Sequence, residues 1–357
     1  MSRPIQALID LSALEHNLSV VRRHAHRSRV MAVIKADAYG HGLLRAAEAL
    51  RHADGFAMLE LDAAVRLREA GYRQTILLLE GFFAVEELAW IEQHHLSTVI
   101  HHHEQLAMLS AYGPRRRLDV FLKLNTGMNR LGFTLEQFPA VLKTLKANPA
   151  VGQITLMTHF ARADEPNGNE SIVAQLQRFN AVAAGRNLPR SLANSAAILR
   201  YPETHADWVR PGIMLYGASP FADRTAADLD LYPAMTVSSR IIATQTLKSG
   251  DGVGYGHIFR TDRPMRVGIV AGGYADGYPR HAPAGTPVMV GGRRTRLVGR
   301  VSMDMLHVDL SEIEIARVGS PVTLWGKGLP VDEVAQSAGT VGYELLCALA
   351  PRMQIVT

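Results

Sequence analysis

The feature that constrains this chain most is an alternation. Short runs rich in β-branched residues, Leu and Met recur at 30–34, 56–59, 76–79, 98–100, 120–124, 154–158, 191–193 and 209–215. Between them lie longer amphipathic stretches, at 43–51, 61–69, 85–94, 104–110 and 170–183, with helical spacing of apolar residues. A run that is apolar throughout must be covered on both faces, as in a parallel sheet flanked by helices. Eight strand–helix units predict a closed, TIM-like α/β barrel with its chemistry at the C-terminal ends of the strands. After residue 225 the texture changes. Short strands are expected at 236–248, 265–270, 287–290, 294–298, 306–310 and 321–325, punctuated by Gly and Pro. The reading is therefore a barrel over 10–225 and a mostly β domain over 226–357, with an N-terminal strand in 1–9 joining the latter. A short closing helix, 341–350, carries Cys347, which is expected to pack in the core.

Composition removes several classes of function. Cys347 is the single cysteine of 357 residues, so no intramolecular disulfide can form, and a cytoplasmic location is expected. No apolar run approaches the ~18 residues that cross a bilayer, and the N-terminus lacks an apolar signal core. The net charge of +5 is scattered, and its densest run, Arg115-Arg116-Arg117, reads as a solvated loop. No platform of aromatic and basic residues suggests nucleic acid. There is no G-x-x-x-x-G-K-[ST] loop and no G-x-S-x-G elbow, and Gly250, Gly252, Gly254 and Gly256 alternate without forming G-x-G-x-x-G. His101-His102-His103-Glu104 lacks a following H-E-x-x-H helix and reads as a solvated strand end, so no metal is expected. A phosphate-bearing cofactor would have to be held by backbone amides and hydroxyls at a barrel mouth.

One segment combines the needed groups. Residues 33–42 read V-I-K-A-D-A-Y-G-H-G, which puts Lys35 at the end of the first predicted strand. A lysine amine desolvated at a barrel mouth can form a Schiff base; a snorkelling surface lysine is an equal reading from position alone. Tyr39 and Gly40 follow closely enough to face the same site.

This segment resembles the pyridoxal 5'-phosphate attachment motif of the alanine racemases. The resemblance continues at 123–132 (K-L-N-T-G-M-N-R-L-G), 158–161 (T-H-F-A), 194–197 (N-S-A-A), 208–217 (W-V-R-P-G-I-M-L-Y-G), 253–256 (V-G-Y-G), 272–280 (G-G-Y-A-D-G-Y-P-R), 299–305 (G-R-V-S-M-D-M) and 339–344 (G-T-V-G-Y-E). Each string is short, but their order over about 310 residues is specific. The resemblance implies a homodimer of two-domain subunits with shared active sites. It implies interconversion of L- and D-alanine, supplying or catabolising D-alanine linked to peptidoglycan.

The resemblance also implies roles. Lys35 would carry the cofactor and act as the base on D-alanine. Tyr255, reaching over from the partner subunit, would be the opposite base. A tyrosine needs help in that role, because its reference pKa is about 10. His159 would hydrogen-bond it, with Arg210 behind the histidine. Arg210 would also face the pyridine nitrogen, and a guanidinium has no acceptor to offer, so that nitrogen would stay unprotonated. Tyr39, Ser195, Tyr343 and the amides of Gly212 and Ile213 would hold the phosphate. Arg130 and the partner's Met303 amide would orient the substrate carboxylate, and Lys123 matches a lysine often carbamylated. Asp164, Tyr274, Arg280, Arg300 and Asp304 would line or support the entrance. From the residues alone, Tyr255 is a loop aromatic among glycines and Arg210 half of a structural ion pair. One departure is Ser302, where many relatives have Cys before the Met-Asp pair; a packing role is expected there. Two other readings remain at this point. One is a two-domain decarboxylase or broad-specificity racemase using the same cofactor. The other is a non-catalytic cofactor carrier, which would resemble the barrel alone.

Overall fold

The computed structural model describes residues 3–357; the first two residues of the expected N-terminal segment lie outside the described residues. Eight parallel strands close into a barrel: Arg29–Val33, Gly55–Met58, Thr75–Leu78, Ser97–Ile100, Leu118–Lys123, Val151–Met157, Arg190–Ser191 and Trp208–Val209. Register runs evenly around the wall, with Ala32 beside Phe56 and Phe56 beside Ile76, and closure comes from Val30 beside Val209. Most of the strand residues are buried, as a sheet sandwiched between a filled interior and an outer ring of helices requires, with exposed Arg29, Asp119 and Gln153 near the strand starts. Leu61–Glu69 and Asn169–Ala183 form as their periodicity predicts, while Phe138–Ala147 is a helix the sequence reading did not mark.

Two strand expectations need correcting. The run at 209–215 is a strand only at Trp208–Val209. Pro211 has no N–H to give a ladder, and Gly212 turns the chain into the 3-10 turn Ile213–Tyr216. Lys35 does not end the first strand either. The strand stops at Val33, and Lys35 opens a separate turn two residues later.

Of the remaining described strands, eight build a sheet around the long strand Met235–Leu247, which bends at a register shift between Ile241 and Ala243, and Gly252–Val253 pairs separately with Phe259–Arg260. Gln6–Ile9 lies antiparallel to that strand, with Leu8 opposite Thr236, and parallel to Gln354–Val356. Helix Val331–Ser337, unmarked in the sequence reading, and helix Gly342–Cys347 accompany this sheet. The second of these reaches the barrel mouth. A Cβ on Gly40 would lie 2.3 Å from the Leu346 carbonyl oxygen, and Gly40 also has φ +77°, so only glycine serves there. The expectation that Cys347 packs in the core is wrong: the helix turns this residue outward, exposed, towards the barrel mouth.

Candidate active site

The site begins with an unusual backbone. Ala36, Asp37, Ala38 and Tyr39 all have φ between 51° and 55°, forming one left-handed turn of non-glycine residues. Each such residue costs roughly 1–2 kcal/mol, and strain of this kind persists only where the surroundings enforce it. The turn directs Lys35 and Tyr39 into a cavity of about 820 Å³ at the C-terminal end of the barrel.

Tyr39, Ser195, Gly212, Ile213 and Tyr343 share the wall of that cavity. Tyr39 stacks on Tyr216 with ring centres 4.5 Å apart, and Tyr343 tilts over Tyr39 at 6.0 Å. Burial raises the pKa of both the Tyr39 and Tyr343 phenols, so they remain donors at any physiological pH. Ser195 Oγ accepts the Gly212 N–H at 2.8 Å. A side chain on Gly212 would start 2.8 Å from Tyr39 Oη, so the absence of a Cβ keeps this hydroxyl-and-amide cradle open.

Opposite stands Arg210, buried and without a carboxylate partner among the described residues. The structural ion-pair reading of this residue is therefore wrong. Its four side-chain hydrogen bonds leave from Nη1 and Nη2: to Ser191 Oγ at 2.7 Å, Thr158 O at 2.8 Å, Leu192 O at 3.2 Å and His159 Nδ1 at 3.3 Å. Burial lowers its pKa only to about 10, so it stays a cation near neutral pH. Arginine can only donate, so His159 must accept at Nδ1 and carry its proton on Nε2. Burial, then Arg210, Lys123 and Arg130, holds the His159 pKa well below the usual imidazole value, which keeps the ring neutral.

Lys123 is also buried, with no ion pair or side-chain hydrogen bond among the described residues. Burial first, then Arg210 and Arg130, lowers its pKa to about 8. Arg130 lines the cavity from the loop after that strand, which is pinned where Asn125 Oδ1 accepts the N–H groups of Gly127 at 3.1 Å and Asn129 at 3.0 Å. Lys35, Lys123, Arg130 and Arg210 thus face one cavity in which, among the described residues, Glu80 is the only lining carboxylate. Four cations against one anion, beside the Tyr39, Tyr343 and Ser195 hydroxyls, suit an anionic ligand carrying a phosphate or carboxylate.

The other sequence-predicted residues do not line this cavity. Tyr255 and Met303 are exposed, at 70% and 52%. They sit on neighbouring segments of the β domain: the Gly254 backbone lies against Arg300, and the Met303 carbonyl accepts the Ala275 N–H at 3.0 Å in the Tyr274 turn. Arg280 reaches over Tyr274, 5.9 Å from its ring centre. Asp304 belongs to an ion-pair cluster with Arg3, Arg352 and buried Asp276. Asp164 is exposed, and its carbonyl accepts from Arg200 at 3.3 Å.

Three cavity residues escaped the sequence reading. His101 is not a solvated strand end; it lines the cavity, half-buried, with Nε2 bonded to Glu80 O at 3.0 Å. Glu80 stands just beyond the strand Thr75–Leu78, and its place after a barrel strand was the available signal. Cys347 had no such signal, because its exposure depends on how the closing helix docks. Among the described residues no cluster of metal-binding side chains occurs, and no helix is long and apolar enough to cross a membrane.

Comparison with known proteins agrees with this geometry. The family model for the alanine racemase N-terminal domain matches residues 9–220, and that for the C-terminal domain matches 234–357. The chain is 78% identical to an alanine racemase of Nitrosospira multiformis, with all of both chains covered. It is 54% identical to a catabolic alanine racemase of Klebsiella aerogenes, again over the whole of both. The solved structure of the biosynthetic alanine racemase of Pseudomonas aeruginosa superposes with a TM-score of 0.97 at 48% identity, covering 99% of each chain. With matches running through barrel and β domain alike, the chain belongs to the alanine racemase family.

Proposed function

We propose that this chain interconverts L- and D-alanine with pyridoxal 5'-phosphate carried on Lys35, as a cytoplasmic homodimer. The observation that carries the reading is the meeting of Lys35, Tyr39, Ser195, Gly212 and Arg210 around one strongly cationic cavity. The donor set fits the cofactor: hydroxyls and amides at one end for a phosphate, a lysine amine in the middle, and a cation without a carboxylate where the pyridine nitrogen would lie. When bound, that cofactor withdraws electrons from the substrate and makes its Cα–H acidic.

The protein's part is to move the proton between opposite faces. Lys35 Nζ serves one face. Tyr255 of the partner subunit serves the other, which accounts for its exposure in a single chain. Neutral His159, its Nδ1 occupied by Arg210, has Nε2–H free to donate to that tyrosine's oxygen and so favour the phenolate. Arg130 and the Met303 amide of the partner subunit orient the carboxylate. Tyr274, Arg280 and Arg300 adjoin them at the entrance, while Asp164 and Asp304 brace the surrounding loops. A lysine with a pKa lowered to about 8 has a reactive neutral fraction, so Lys123 Nζ adds carbon dioxide and releases one proton to water, leaving a carbamate. The resulting anion attracts the neighbouring guanidiniums that the protonated lysine repelled, and so anchors Arg130.

The full-length relatives named above favour alanine over the decarboxylase or broad-racemase reading. They include both a catabolic and a biosynthetic enzyme, so D-alanine supply and D-alanine breakdown share this architecture. A chiral assay of purified protein with L-alanine, L-lysine and L-serine tests the proposal. D-alanine should accumulate to equality with L-alanine; decarboxylation, or equal turnover of lysine, contradicts it.

A further inference from the structure

The left-handed turn that presents Lys35 and Tyr39 needs something to hold it, and two neighbouring side chains are placed to do so. His41 is buried, and its Nδ1 lies 3.0 Å from the Ala38 carbonyl and 2.9 Å from the Tyr39 carbonyl. Two carbonyl acceptors require the proton on Nδ1, which leaves Nε2 bare, and Nε2 has no partner among the described residues. The ring rests on Tyr216 at 4.6 Å, on the same plate that supports Tyr39, and Tyr216 Oη donates to the Val33 carbonyl at 2.9 Å. Burial lowers the His41 pKa to about 4, so this tautomer persists over the working range. At the other end, Asp37 Oδ1 accepts the Leu43 N–H at 2.8 Å and the Asp37 carbonyl accepts the Gly42 N–H at 2.9 Å. The turn is therefore tied forward to the next helix and down to its own last two carbonyls.

We propose that His41 and Asp37 are positioning residues that clamp the left-handed turn, setting Lys35 and Tyr39 for the cofactor without touching it. The proposal rests on the reading of Lys35 and Tyr39 as cofactor ligands. If the clamp opens, four non-glycine residues relax towards ordinary φ and the two side chains leave their common cavity.

Equilibrium titration of the unloaded protein with pyridoxal phosphate, alongside its melting temperature, provides the test. His41→Phe keeps the ring on Tyr216 but loses the donor. It should bind the cofactor about tenfold more weakly, the value of one neutral hydrogen bond. His41→Asn, whose amide can donate to the same carbonyls, should restore binding. Asp37 is exposed, so Asp37→Ala should fold and melt as wild type does yet bind about tenfold more weakly. Asp37→Asn, which keeps the acceptor, should recover. Unchanged affinity in His41→Phe and Asp37→Ala overturns the clamp, as does a fall in melting temperature with affinity intact. If His41→Phe does not fold, Asp37→Ala alone decides by the same criteria. A wild type that fails to bind, or a Lys35→Ala protein that binds as wild type does, overturns the underlying cofactor reading instead.

Discussion

The barrel mouth and the face of the β domain that carries Tyr255 hold chemistry in opposite ways. At the mouth, Arg210 is 4% exposed and locked by four hydrogen bonds. Lys123 is buried, and strained backbone aims Lys35. On the β face, Tyr255, between Gly254 and Gly256, and Met303, between Ser302 and Asp304, stand in solvent, with 70% and 52% of their surface exposed. Burial at the mouth shifts pKa values and fixes protonation states. Exposure on the β face means that its residues acquire an environment only when something covers them. A single chain therefore carries one region that is buried and locked and another that is left open to solvent.

The largest break in this contrast comes from Lys35→Ala. Racemisation should fall on the order of 10⁴-fold or more, and the absorption band that appears on loading wild type should vanish. Retention of the band refutes the assignment. Tyr255→Phe should be more selective. Release of the Cα hydrogen into deuterated water should slow about 10²–10⁴-fold from L-alanine and far less from D-alanine. Because the residue is exposed, the stability of one chain should shift by no more than about 0.5 kcal/mol. Equal loss from both enantiomers contradicts the two-base roles. Arg210→Met acts on the buried half and should differ in kind. The Thr158 and Leu192 carbonyls and Ser191 lose a donor, so urea unfolding should show a loss of about 2–4 kcal/mol. An unchanged midpoint would deny that the mouth is preorganised.

The smallest effect is in the pH dependence of Lys123. In buffer free of carbon dioxide, the unfolded chain keeps its proton up to the ordinary lysine value of 10.5 while the folded chain releases it from about 8. The unfolded state then binds more protons, so stability rises with pH through that window. The melting temperature should climb by roughly 2 °C relative to Lys123→Met. Adding bicarbonate at pH 8 should increase the mass of wild type by one carbon dioxide and leave Lys123→Met unchanged.

The difference between the two regions also explains what could be read from the sequence. Most of the eight strands were legible because burial on both faces writes a nearly continuous apolar run; the short strand Arg190–Ser191 is the exception. The last strand was drawn too long because Leu215 and Ile213 are just as apolar in a 3-10 turn as in a strand. Lys35, Arg210 and Tyr255 drew attention through the strings that contain them, not through periodicity. Nothing local distinguishes Ala36–Ala38 from a right-handed turn, so the strain at the mouth became visible only in the backbone angles. Glu80, His101 and Cys347 reach the cavity through tertiary approach, and Cys347 reads as core by composition although it is exposed.

The central claim is that one subunit's barrel is completed by its partner's Tyr255. It is tested most directly by mixing two inactive proteins, Lys35→Ala and Tyr255→Phe, under conditions that let subunits exchange. In a two-fold dimer one of the two shared sites then receives both native residues, so random exchange should restore about one quarter of wild-type activity. If Tyr255 instead served its own chain's barrel, every site in the mixture would lack one base, and activity would stay at the level of the unmixed mutants.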